Sequence, residues 1–535
     1  MIEMNDTRRE TDEVGRRRTF AIISHPDAGK TTMTEKLLLY GGAIRLAGSV
    51  KARKAARHTT SDWMEVEKER GISVSSSVLQ FDWEGRRLNL LDTPGHQDFS
   101  EDTYRTLTAA DSAVMLLDNR RGVEERTRKL FDVCRLRRLP IFTFVNKCDR
   151  AGVDPLELVD GVEEELGIRC APVTWPVLVG TEALGVYHRE SGLVHRFVRT
   201  EDHGATAGPR AAWPLESEEA REAFPEASLE RLREEIALLD ALAPPPDEEA
   251  VLAEEATPVF FGSALLNFGV EPFLRYFLDH APPPVPREAG ETTVDPRDPT
   301  FRGFVFKIQA NMDPKHRDRI AFVRVCSGRW VPGTVATNLR TGREHRLSSA
   351  RRFLARDRET VEEAVAGDVV GILDRGNLRI GDTLSGNGGP AFEGVPRFSP
   401  ERFARVHPGD AFGRKHLDRG LRELSEEGAV QVLFDRRSGR APRPMVGVVG
   451  PLQLDVLLHR LKHEYGVEAN LESLPYVAAR WVVGEEEEIL RLADSYQRAL
   501  AYDHRDRPLL LFDTEYSLEK AEKEAGDVEL YAVSP

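Results

Sequence analysis

The segment Ser24-His25-Pro26-Asp27-Ala28-Gly29-Lys30-Thr31 constrains the fold more than any other. It follows a short apolar run, residues 19–24, and opens a helix-forming stretch, residues 31–40. A strand, a glycine-bearing loop and then a helix is the setting of a P-loop, and the string meets GxxxxGK[ST] with serine for the first glycine. In such a loop successive backbone N–H groups and the helix N-terminus surround phosphate. Lys30 then supplies a point charge to the β and γ groups, and the Thr31 hydroxyl ligates Mg²⁺. Taken alone, the string also suits an ordinary lysine-bearing helix start.

Further apolar runs follow: LNLLDT (88–93), AVMLLD (113–118), PIFTFVNK (140–147) and TPVFFGSA (257–264). Helix-like segments separate most of them. Apolar strands alternating with helices predict a parallel sheet covered on both faces. Chemistry-bearing strings sit at the ends of these strands. Asp92-Thr93-Pro94-Gly95-His96 places a carboxylate where a Mg²⁺ shell needs one, and a glycine N–H where a γ-phosphate could be sensed. Asn146-Lys147-Cys148-Asp149 offers a carboxylate that accepts both guanine N–H groups and rejects adenine. Ser263-Ala264-Leu265 offers backbone N–H groups to the guanine O6. Strings at the carboxyl ends of parallel strands converge on one crevice. Between the first two lies a basic, then mixed segment, residues 50–77, read as a loop ordered by the γ-phosphate, with Ser73 giving Mg²⁺ a second hydroxyl.

The rest of the chain divides by composition. Residues 1–282 form the first domain, with a subdomain inserted at about 155–250 where the chain turns acidic and proline-broken. A proline-rich linker covers 281–300. Short alternating strands between turn residues then predict a β-barrel over 300–386. After a glycine-rich linker, 400–535 reads strand-helix-strand-strand-helix-strand, a ferredoxin-like order, followed by a helix and a strand. No long-period repeat is evident. The fold class is therefore α/β and multidomain.

Composition supplies exclusions. No stretch of the 535 residues nears the run of about 18 apolar residues that spans a membrane. The polar N-terminus argues against a secretory signal. The four cysteines form no CxxC pair, which argues against a disulfide framework or zinc ribbon and fits a reducing compartment. A net charge of −15 argues, alone, against a general nucleic-acid binder. Basic clusters at Arg16 to Arg18, at Lys51 to Arg57 and at Arg351-Arg352 read first as ordinary solvated surface and second as candidate RNA contacts.

The strings SHPDAGKTT, RGIS, DTPGHQDF, NKCD and SAL together resemble the five nucleotide motifs of the translational GTPases. The likeness continues through DWMEVEKERGISVSSSV, APVTWPV, LSEEGAVQVLFD and VGVVGPLQLDVLLHRLKHEYGVEA, over residues 20–481, and is strongest to the class-II, GTP-dependent release factors. It implies a P-loop GTPase domain with an insertion, a β-barrel domain and an α/β third domain. It also implies GTP/GDP and Mg²⁺ as ligands and a cytoplasmic monomer without membrane contact, whose partner is the ribosome, through its rRNA and proteins. The implied role is in translation termination: after peptide release, the GTP form changes the ribosome so that a class-I release factor leaves. By position, Ser24, His25, Pro26, Asp27, Ala28, Gly29, Lys30, Thr31, Thr32 and Gly95 would hold the phosphates. Thr31, Ser73 and Asp92 would serve Mg²⁺, Asp92 through water, and Ser73 stands where most relatives carry threonine. His96 would be the catalytic histidine, flanked by Pro26 and Ile72 as an apolar gate. Asn146, Lys147, Asp149, Ser263, Ala264 and Leu265 would form the guanine pocket. A truncated elongation-factor-G-like or ribosome-protection protein is the nearest alternative, and the chain's stop at Pro535, soon after Trp481, speaks against it. A nucleotide-dependent scaffold and a metabolic P-loop kinase are the more distant ones.

Overall fold

The computed structural model describes residues 13–42, 76–94, 100–197, 211–310, 319–348, 350–354, 357–410, 413–435, 444–494 and 499–534. Strand β1 (Arg17–Ser24) is buried at every position. Phe20 and Ile22 join one apolar cluster, Ala21 and Ile23 the other. A strand loaded on both faces belongs inside a covered sheet. Along the chain follow α1 (Lys30–Tyr40), β2 (Ser77–Trp83), β3 (Arg86–Asp92), α2 (Ser100–Leu107), β4 (Ser112–Asp118), α3 (Glu125–Leu136), β5 (Ile141–Asn146), α4 (Pro155–Leu166) and β6 (Arg169–Pro172). A second, antiparallel sheet is built by β7 (Thr174–Val179), β8 (Glu182–His188), β9 (Leu193–Arg196) and β10 (Ala212–Pro214). Then come α5 (Glu218–Ala223), α6 (Glu226–Leu242), α7 (Glu248–Leu252), β11 (Ala256–Phe261) and α8 (Val270–His280).

The main sheet has the order β2-β3-β1-β4-β5-β11-β6. All its pairs are parallel except β2–β3. Because β6 pairs with β11, Arg169 opposite Ala256, α4 and β6 belong to this sheet. The insertion therefore starts at β7, Thr174, rather than at about 155. It is held to the acidic helix α6 by the fully buried Trp175, whose Nε1–H donates to Glu235 Oε2 at 2.7 Å.

Residues 302–385 form an eight-stranded antiparallel sheet around its own core, which includes Val305, Trp330 and Ile372. This is the expected barrel domain. Residues 402–473 run strand-helix-strand-strand-helix-strand, and their strands lie fourth, first, third, second across the sheet, the ferredoxin-like arrangement. The remaining residues differ from expectation. Instead of one helix and one strand, 478–531 form a second strand-helix-strand-strand-helix-strand unit with the same strand order. The two units join edge to edge through their second strands, Phe434 opposite Tyr502. The chain thus does carry a structural repeat.

Two of the candidate RNA contacts face inward. Arg17 and Arg18 are 4% and 5% exposed. Arg17 pairs with Asp368 of the barrel and with Glu13, and Arg18 donates to the backbone oxygens of Leu278 and Gly15. Burial alone would lower the Arg17 pKa, but the two carboxylates outweigh it and raise it. Arg16 is half-buried. Residues 51–57 lie outside the described residues, and Arg351 and Arg352 are placed only as part of the strand Ala350–Leu354.

Candidate nucleotide-binding site

Since β1, β3, β5 and β11 run parallel, the loops after them open along one edge of the sheet. The loop after β1 turns through two left-handed residues, Asp27 (φ 66°) and Gly29 (φ 100°). A Cβ on Gly29 would stand 2.3 Å from Asn146 Nδ2, so only glycine fits beside the loop from β5. Ser24, His25, Pro26 and Ala28 complete the loop, and Lys30, Thr31 and Thr32 open α1. Lys30 Nζ reaches Asp92 Oδ1 at 2.5 Å, with both groups buried. Asp92 ends β3 opposite Ile22, and Thr93 Oγ1 donates to Ile22 O at 2.7 Å. The carboxylate is thereby fixed against the Lys30 ammonium.

Asn146 cross-ties three loops. Its Nδ2 donates to Ala28 O at 2.7 Å, and its Oδ1 accepts from Ala264 N at 2.8 Å. Lys147, itself left-handed (φ 68°), puts Nζ 2.7 Å from Asp118 Oδ2. Burial would raise the Asp118 pKa; the Lys147 ammonium and the Arg120 N–H outweigh it and hold it below the usual carboxylate range. Cys148 donates its backbone N–H to Gly262 O. Its thiol, pushed up to about 12 by burial, is not a nucleophile. Asp149 Oδ1 is buried and has no hydrogen-bond partner among the described residues. A buried, unmatched carboxylate oxygen is costly unless a ligand supplies a donor.

The structure thus brings together Ser24 to Thr32, Asp92, Asn146, Lys147, Asp149 and Ser263 to Leu265. The Ala264 N–H acts as a tie to Asn146. Ile72, Ser73, Gly95 and His96 lie outside the described residues. Three contributors went unread in the sequence. Asp118 partners Lys147. Glu124, at the start of α3, lies 3.1 Å from His25 Nε2 in the P-loop. Arg126, 7% exposed, donates to Pro94 O at 3.1 Å. Asp118 was open to detection, because it ends the AVMLLD run on the same edge as the other strings. Nothing local marks Glu124 or Arg126.

The donor set suits a hard cation. Asp92 and the Thr31 hydroxyl offer oxygen, and Mg²⁺ takes few protein ligands where phosphate supplies the rest. Among the described residues no group of three or more His, Cys, Asp or Glu is placed to hold a metal unaided.

Three family models match consecutive parts of the chain: Elongation factor Tu GTP binding domain over residues 15–283, Elongation factor G domain 2 over 300–387, and Class II release factor RF3, C-terminal domain over 392–522. The peptide chain release factor 3 of Symbiobacterium thermophilum is 55% identical, over 95% of this chain and 96% of its own length. That of Gloeobacter violaceus is 49% identical, over 98% of each. A solved structure from Thermus thermophilus is similar with a TM-score of 0.68 and 27% identity, covering 86% of this chain and 68% of that one.

Proposed function

This chain belongs to the peptide chain release factor 3 family, and from that premise we propose that hydrolysis of GTP in the β1–β11 cleft drives the removal of class-I release factors from the ribosome. The chain is a guanine-nucleotide-binding translational GTPase that acts on the ribosome in termination. The observation that carries the site reading is the pairing of the Asn146 cross-tie with the unmatched Asp149 oxygen.

Asp149 accepts from the guanine N1–H and exocyclic amine, which an adenine ring does not offer together. Lys147 is held against Asp118, which fixes its ammonium beside the base site. The amides of residues 24–32 and the α1 N-terminus stabilise phosphate charge. Lys30, now paired with Asp92, moves its charge to the β and γ groups. Thr31, Ser73 and, through water, Asp92 would hold Mg²⁺, which would supply electrostatic stabilisation of the leaving phosphates. Gly95 senses the γ-phosphate through its N–H. His96 orients the attacking water once the ribosome has placed it. Stimulation by a partner typically raises turnover about 10³–10⁵-fold in such enzymes. GTP and GDP then favour forms that bind different ribosomal states. The protein works as a monomer in the cytoplasm; no helix among the described residues is long and apolar enough to cross a membrane. An elongation-factor-G-like or ribosome-protection role is not favoured, because the near-full-length relatives carry the release-factor name.

His96→Ala is expected to keep GTP binding and lose ribosome-stimulated hydrolysis, followed as phosphate release; undiminished stimulation removes His96 from the mechanism. Asp149→Asn is expected to shift preference from GTP to xanthosine triphosphate in competition binding, and an unaltered preference removes Asp149 from the pocket.

A further inference from the structure

The Asp149 carboxylate is not anchored through its own oxygens. Oδ1 has no hydrogen-bond partner among the described residues, and Oδ2 lies 3.7 Å from the adjacent Arg150 Nε, beyond a hydrogen bond. The side chain is therefore aimed by the backbone of its loop, residues 147–153. That loop is held by Asn119, which directly follows β4 and is 7% exposed. Asn119 N–H donates to Asn146 O at 3.0 Å, just before the loop. Its Nδ2 donates to Arg150 O at 3.0 Å, and its O accepts from Val153 N–H at 3.0 Å, both after Asp149. One residue thus holds the chain on both sides of the carboxylate. The insertion adds longer contacts, Ala183 N–H to Cys148 O at 3.3 Å and Gly152 N–H to Thr181 O at 3.4 Å.

Two further observations set Asn119 apart from an ordinary loop residue. A Cβ on Gly152 would stand 2.6 Å from Asn119 Nδ2 and 2.8 Å from Asn119 O, so the loop closes on Asn119 only because position 152 has no side chain. The carboxamide also carries a cost. Asn119 Oδ1 is buried with no partner among the described residues, and an unmatched acceptor of this kind destabilises. An apolar side chain would avoid that cost but could not donate to Arg150 O. The tie across the loop is what the carboxamide adds. The neighbouring pair, Lys147 with Asp118, fixes residue 147 and does not reach past Asp149.

We infer that Asn119 is a positioning residue for guanine selection, a buried carboxamide that sets the loop backbone so that both Asp149 oxygens face the base together. The inference rests on the guanine-pocket reading above. A carboxylate in register accepts from the N1–H and from the exocyclic amine at once, the bidentate arrangement that gives geometric specificity. A tilted carboxylate keeps one bond more readily than two. Loosening the loop therefore weakens most the purine that offers both donors.

The test compares GDP with inosine diphosphate, which has the N1–H and lacks the exocyclic amine, by competition against a fluorescent GDP on the full-length protein. Asn119→Ala is expected to weaken GDP about tenfold and inosine diphosphate by no more than about threefold. Gly152→Ala, which pushes the loop off Asn119 from the opposite side, must lower the same affinity ratio and stands in if Asn119→Ala does not fold. An unchanged or raised preference for GDP overturns the inference, as does equal weakening of both nucleotides, which is what general loosening would give. A parent protein that binds the two diphosphates equally overturns the guanine-pocket reading, and the inference falls with it.

Discussion

The two ends of the proposed nucleotide cleft are braced in different ways. The end assigned to guanine is tied within one domain, through Asn146 to Ala28 and Ala264 and through Lys147 to Asp118. The end assigned to the γ-phosphate is tied to other domains. Lys307 of the barrel grips Ser76 and Asp102, and Tyr104 packs on Phe398 of the second linker with ring centroids 4.1 Å apart. Arg105 Nη1 donates to Gly428 O, at the end of the third domain's first helix, at 2.9 Å. The base is the same before and after hydrolysis, so its end can be rigid and local. The γ-phosphate departs, so the end that feels it is the useful one to connect outward.

The sharpest way to break this contrast is Asn146→Ala. Each buried partner left unmatched costs about 1–3 kcal/mol. With Ala28 O and Ala264 N both left unmatched, nucleotide affinity should then drop roughly 30- to 10⁴-fold, since about 1.4 kcal/mol is tenfold; a titration showing less than tenfold loss would mean the local ties are dispensable. Next comes Arg17→Met, which strands Asp368 in the interface away from the cleft. Breaking one side of a buried pair costs about 3–5 kcal/mol of stability. Thermal unfolding should move down markedly while the GTP-to-GDP affinity ratio stays put, and a moved ratio would show that this interface, too, reads nucleotide. Gly428→Ala is smaller. The left-handed backbone (φ 77°) costs a non-glycine residue about 1–2 kcal/mol. Its Cβ would also fall 1.9 Å from Arg105 Nη1. Ribosome-stimulated turnover should decline with nucleotide affinity preserved; the reverse pattern would sink the outward-connection reading.

The smallest effect is on pH dependence. Arg397 of the linker can only donate, so His504 Nδ1, 3.0 Å away, must accept, and the ring is neutral. Burial first, and then the nearby Arg397 charge, push its pKa down to about 3. The unfolded chain takes up that proton near pH 6.5, roughly. With more protons on the unfolded state between those values, stability contributed here is full above about pH 6.5 and declines as pH falls towards about 3. His504→Gln should therefore flatten the change in melting temperature between about pH 7 and about pH 5, and an identical slope in the two proteins would place the proton uptake elsewhere.

The two halves of the C-terminal region show where sequence reading stops. Both have the same order of elements and strands. The first was legible because its second helix, Pro451–Tyr465, spans 15 residues, begins at proline and ends at the left-handed Gly466. In the second, the helices run 9 and 10 residues and three of the four strands run 3 to 5. Such short pieces carry too little periodicity to distinguish them from turns. Their core forms only when the pieces pack together, Ile489, Leu492 and Ala521 of the helices against Val482, Leu510 and Phe512, with Trp481 opposite Leu509 and Tyr531 in the sheet. Arg17 misled for a related reason. As a string, Arg16 to Arg18 looks like exposed charge, but one partner of Arg17, Asp368, lies 351 positions away.

By itself the sequence determined the P-loop, the strands that end in DTPGH, NKCD and SAL, the barrel and the first ferredoxin-like unit. In each of these, the groups that act together are contiguous, and local spacing dictates geometry. Only the tertiary structure decided where the insertion starts, that the last unit repeats the one before, that Arg17 and Arg18 are interior, and that Lys307 meets Ser76 and Asp102. The first two depend on strands pairing across intervening elements, Arg169 with Ala256 and Phe434 with Tyr502, and the last two on buried polar groups finding partners hundreds of residues distant. Chain order records no such distance, because the cost of leaving those groups unpaired arises only once the domains have closed over them.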